Sequence, residues 1–186
     1  MKDKKTGLLF PETNKPSPKP SPKKSPKKTS MENALTNIQE TKDRQSRLKI
    51  ITRLINSKEP WVGKVLIQAL DDPCEDIRKI IVTDLSTRED LDLTLLYQRL
   101  RQTPWYVKTG CLRILGLRKN TSSLKHIESM ANDPNIEVRR TLAIVLGEIG
   151  GKKALAILAK LSEDDSPFVR TPALQSLREV SQVKFS

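Results

Sequence analysis

The sequence predicts an all-α fold, a right-handed α-α superhelix made of stacked helix pairs, and three observations predict it. A basic residue recurs after a landmark position as Arg47, Arg78, Lys108, Arg139 and Arg170, at gaps of 31, 30, 31 and 31 residues. Four and eight residues beyond the landmark the chain stays apolar, with Ile81, Cys111, Leu142 and Ala173, then Leu85, Leu115, Leu146 and Leu177. Hydrophobic content is 36% with only seven aromatics, which suits an aliphatic helical solenoid better than a compact β fold. Recurrence at this period marks stacked helical hairpins, each burying its apolar face only against its neighbours.

Each element follows from this register. Met31–Glu40 reads as a short capping helix, and Lys42–Ser57 as the first copy, with Ile50, Ile51 and Leu54 apolar and polar Ser46 at the landmark. Pro60–Leu70 carries an apolar stripe of Val62, Leu66, Ala69 and Leu70. Asp72-Pro73 then restarts a helix, the aspartate as cap, proline in the first turn and Glu75 and Asp76 at the positive end. Its buried face is Ile77, Ile81, Val82 and Leu85. The next pairs are Asp90–Gln102 with Pro104–Leu117, Thr121–Ala131 with Pro134–Ile149, and Lys152–Leu161 with a last helix from Ser166-Pro167 to about Val180. Ser86, Gly116 and Gly147 follow the closing leucine, as expected near a helix end. Pro172 lies inside the last helix, so that helix either kinks or begins near Thr171.

The phrases DPNIEVRRTLAIVLGEIGG and KKALAILAKLSEDDSPFVR resemble HEAT repeats of the short, phycobilin-lyase-like variety, over about residues 43–180. The resemblance implies a HEAT-like solenoid in which an aspartate near the end of a first helix bonds an arginine in the second helix of a neighbouring repeat. Six residues before each basic residue stand Thr41, Asp72, Gln102, Asp133 and Asp164. Three copies thus carry the implied pair: Asp72 with Arg78, Asp133 with Arg139, and Asp164 with Arg170. The third copy has Gln102 and Lys108, and no strong rung is expected there. These arginines are assigned to structural work, because a guanidinium beside carboxylates and turn backbone satisfies groups that are costly to bury.

The chain divides into a tail, residues 1–30, and a solenoid of four to five helix pairs, residues 31–186. Of the net charge of +12, +7 sits in the tail, where nine lysines face only Asp3 and Glu12. The stretch KPSPKPSPKKSPKK has no aliphatic residue and is expected to be disordered and extended. Its Ser-Pro-Lys period resembles the SPKK repeats of histone tails, which implies phosphate contacts through Lys19, Lys23, Lys24, Lys27 and Lys28. Leu8-Leu9-Phe10 is too short for a secretory apolar region, and no apolar run is long enough to span a membrane. Cys74 and Cys111 lie in separate repeats, so reduced thiols and a cytoplasmic setting are expected.

Catalytic constellations are not expected. His126 is the only histidine, no paired cysteines accompany it, and the carboxylate clusters fall at repeat turns. No cofactor is expected. Trp61 and Trp105 each follow a proline and are expected to pack on the adjacent turn. The inner curve would come from the second helices. Two residues past the landmark stand Lys79, Thr109, Arg140 and Thr171, and six past it Thr83, Arg113, Ile144 and Gln175. A phosphate track would be basic at nearly every rung. This mixed face suits a protein ligand instead, so the expected function is a non-enzymatic scaffold that binds a protein partner through Lys79, Arg113, Arg140 and Ile144. The alternative is a nucleic-acid-associated adaptor that uses the tail lysines, and a minor one is an enzyme like the alkylpurine DNA glycosylases.

Overall fold

The computed structural model describes residues 29–102 and 104–182, and these form helices and turns arranged as five pairs. The tail lysines and the expected disorder of the tail lie outside the described residues. The first pair is α1 (Ser30–Glu40) and α2 (Arg44–Ile55). Thr29 and Glu32 close a capping box on α1, the Glu32 amide donating to the Thr29 hydroxyl and the Thr29 amide to the Glu32 carboxylate at 2.7 Å. The expected capping helix is therefore the first member of a complete pair, packed on both α2 and the next first helix.

The second pair is α3 (Val62–Gln68), ending in a tight turn Ala69–Asp71, with α4 (Glu75–Thr87). The third is α5 (Leu93–Gln102) with α6 (Trp105–Leu117). In the fourth, α7 (Leu124–Ile127) is only one turn, flanked by 3-10 segments at Thr121–Ser123 and Glu128–Asn132, followed by α8 (Ile136–Ile149). The sequence predicts one helix over Thr121–Ala131. The Asn120 carboxamide explains the difference, because its oxygen accepts from the Ser123 amide and from both the Ser122 and Ser123 hydroxyls, local bonds that compete with an α-helical ladder. The fifth pair is α9 (Gly151–Leu161) with α10 (Pro167–Gln182). This last helix starts at Pro167 and carries Pro172 within it, so the later start near Thr171 is not adopted.

Leu85, Leu115 and Leu146 are fully buried, as are Ile81, Cys111, Leu142 and Ala173 one turn earlier. Leu177, on the last described helix, is only half-buried. Gly116 and Gly147 lie close to the ends of α6 and α8, as expected, and also serve the packing of second helix on second helix. A methyl on Gly116 would fall 2.1 Å from the Glu148 carboxylate, and one on Gly147 2.6 Å from the Ser176 hydroxyl. The helix stop is made by Gly150 and Gly151 at φ 71° and 88°, in the left-handed region that glycine enters without cost. The second helices pack on one another more closely than the first helices do, which bends the stack toward the second-helix side.

A row of cations joins the pairs. Arg47 donates from Nε to Asp72 at 2.7 Å, Lys108 to Asp133 at 2.7 Å, and Arg139 to Asp164 at 2.7 Å. Each of these carboxylates belongs to the next repeat, and each also accepts an amide two residues ahead: Cys74, Asn135 and Ser166. The pairs read within one copy exist through the backbone. Arg78 donates to the Asp72 carbonyl, Arg139 to that of Asp133, and Arg170 to that of Asp164. Lys108 is therefore a rung, contrary to expectation, and the interruption falls at Arg78. The position 25 residues beyond Arg78 is Thr103 in the sequence. Asp72 does not cap its helix as expected. Cys74 occupies that cap position, and Asn135 that of α8.

Candidate functional site

One stripe of each of α4, α6 and α8 faces a common groove of about 780 Å³ on the second-helix side. The helical period sets who faces it: Glu75, Lys79 and Val82 from α4, Trp105, Thr109 and Arg113 from α6, and Glu137, Thr141 and Ile144 from α8. Lys79, Arg113 and Ile144, read from the sequence as inner-curve residues, are thus brought together. Arg140 is displaced from them. It lines a shallower neighbouring recess with Ile136 and Phe168, and its guanidinium binds both oxygens of Glu137 at 2.7 and 2.8 Å.

The wall that sequence reasoning missed is aromatic. Trp105 is 47% exposed instead of packed on a turn, and its ring meets Tyr106 edge-on with centroids 5.8 Å apart. The Arg78 guanidinium lies over the Tyr106 ring at 4.8 Å. The signal was available, since Trp105, Thr109 and Arg113 are spaced i, i+4, i+8 and share one helical stripe. Trp61, by contrast, is packed against the core as expected.

The groove's charges divide into committed and uncommitted groups. Lys79 pairs with Glu75 at 2.9 Å and holds that carboxyl below its ordinary range. Arg140 does the same for Glu137. Arg113 lies within electrostatic reach of Glu75, Glu137 and Glu148 but makes no hydrogen bond or ion pair among the described residues. Glu148 sits over Gly116 at the far end, and its loss of hydration pushes its pKa up against the pull of Arg113 and Lys119. Beneath the floor, the Thr141 hydroxyl is buried with no hydrogen-bond partner.

On the first-helix side, His126 stacks on Tyr97 at 3.9 Å between centroids. No group of three His, Cys, Asp or Glu residues suited to a metal occurs among the described residues. No described helix is long and apolar enough to cross a membrane.

Residues 93–178 match the family model for HEAT repeats. Over that part of its length the chain is similar to HEAT repeats. Among the 17 solved chains that match is one from the complex of CpcE and CpcF of phycocyanin lyase from Nostoc sp. PCC7120. It is 18% identical, with a TM-score of 0.56, over 90% of this chain and 71% of that one. At that identity the likeness establishes the fold alone. No curated protein matches the chain.

Proposed function

We propose that this chain is a non-enzymatic scaffold that binds a protein partner in the groove across α4, α6 and α8. The observation that carries the reading is the exposed Trp105 beside Tyr106 and the unbonded Arg113, in a concavity made by three consecutive repeats. Tryptophan, tyrosine and arginine are the side chains that dominate binding energy at protein interfaces. A preformed groove on a stacked scaffold also spares the ordering cost of assembling a site on binding. The solved relative comes from a complex of two different chains, which is in keeping with a protein partner here. The Lys108–Asp133 rung of the cation–aspartate row fixes the α6 wall on the α8 wall, while the row is interrupted between α4 and α6.

Site-specific photo-crosslinking in the native cell tests the proposal. A photoreactive phenylalanine in place of Ile144, in the groove, should give a discrete protein adduct. The same group in place of Ala159, on exposed α9, should not. Equal labelling from both positions, or none from Ile144, would remove the groove as the binding site.

A further inference from the structure

Resting on the groove reading, we infer what chemistry its partner presents: a short segment with one large apolar anchor followed, within about a helical turn, by an acidic residue. The anchor's place is set by the surface that no part of the described chain covers. Trp105, Leu117 and Ile144 are exposed around a floor of Val82 and Val145, and an apolar side chain laid there removes water from all of them.

The acidic residue is argued from the groove's charges. Three cations and three carboxylates line it, yet they do not cancel locally. Glu75 is taken by Lys79, and Glu137 is taken by Arg140, whose own charge sits in the neighbouring recess. Arg78 is bound to a neutral carbonyl and to the face of Tyr106, so its charge has no carboxylate in contact. Arg113 has no bonded partner at all among the described residues. The one lining carboxylate not already paired with another cation is Glu148, at the C-terminal end of α8 over the α6 backbone at Gly116. The aromatic end and the middle of the groove therefore carry uncompensated positive charge next to apolar surface. A ligand carboxylate would meet Arg113 two-pronged in a partly dried site, the geometry in which a guanidinium is most selective. Glu148 adds direction, repelling an acidic group from the Leu117 end and so fixing which way the segment runs.

The probe is a random twelve-residue peptide library displayed on phage and selected against the full-length chain. Recovered peptides should carry an aromatic or large aliphatic residue with Asp or Glu within four positions. Selection against Arg113→Glu should lose that acidic bias and gain Lys or Arg. A recovered acidic peptide, followed by fluorescence anisotropy, should bind Arg113→Glu about ten-fold or more weakly than wild type. Arg113 is exposed and unbonded, and a helical circular dichroism spectrum checks that the variant folds. Peptides that are apolar without acidic residues, or enriched in Lys or Arg on the wild type, would overturn the acidic partner and leave the groove standing. Peptides that bind Trp105→Ala and Ile144→Glu as tightly as wild type, or no recovery above background, would overturn both.

Discussion

At the scale of single residues, the two thiols sit in opposite environments. Cys111 is sealed in the core, and burial pushes its pKa up to about 12. Cys74 occupies the cap position of α4, partly exposed, where the Ile77 amide and then the Arg44 guanidinium, donating to Sγ at 3.2 Å, hold its pKa below the ordinary thiol value. The thiolate is the reactive form. One thiol per chain should therefore react with a disulfide reagent at neutral pH, and the second only on unfolding. Arg44→Gln should slow the fast thiol several-fold at pH 7, because the thiolate fraction falls. It should leave the rate near pH 10 unchanged, where the thiol is ionised in either protein. Two thiols reacting at one rate in the native protein would contradict this placement.

At the scale of the element, the Asp164 side chain joins two pieces of chain, the previous repeat's Arg139 and the Ser166 amide ahead of its own second helix, while its backbone carbonyl accepts from Arg170. Asp164 shows the pH consequence. Its carboxyl is held below the usual range chiefly by the Arg139 guanidinium, with the Ser166 amide also contributing. A carboxyl depressed in the folded state stabilises fully above its unfolded pKa of ~4, and that contribution is lost as pH falls through the folded value. Asp164→Asn should cost about 2–4 kcal/mol at pH 7, since it leaves Arg139 half-buried without its charge partner. Its loss of stability between pH 5 and pH 3 should also be shallower than wild type's, as read from urea midpoints. An unchanged acid slope would assign the acid sensitivity elsewhere. Much of this was legible in the chain. The period placed Ile81, Leu85, Leu115 and Leu146 in the core because a 3.6-residue repeat leaves those positions no other face. The rung at Lys108 was not legible, because counting six residues back finds the carbonyl of the same copy, which any residue supplies. The carboxylate that matters lies 25 residues ahead, in the next copy. Trp105 was misread for a related reason: a proline before a tryptophan fixes where the helix starts, while the facing helices decide what covers the ring.

At the scale of the molecule, the stack is not uniform along its length. Successive second helices pack progressively more closely from α2 toward α10, and the cation–aspartate row is interrupted once, at Arg78. Both features set α5–α10 apart as the better-knit part, and the HEAT-repeat match of residues 93–178 falls within it. A linear array owes its stability to individual repeats and to their nearest-neighbour interfaces, so it separates where an interface is weakest. About three repeats suffice for a stable stack. A fragment beginning at Glu89 and running to the end of the sequence should therefore fold alone. It should show a helical spectrum and one cooperative urea transition, with an m-value about 0.6 of the full chain's, in proportion to the surface it buries. The fragment keeps Trp105, Arg113 and Ile144 but lacks α4, the groove wall that carries Arg78 and Lys79. Peptides selected on the full chain should accordingly bind it more weakly though it is folded, which separates the stability of the scaffold from the completeness of its groove. A fragment without a cooperative transition would mean that α1–α4 hold the stack together and that the interruption at Arg78 is no boundary.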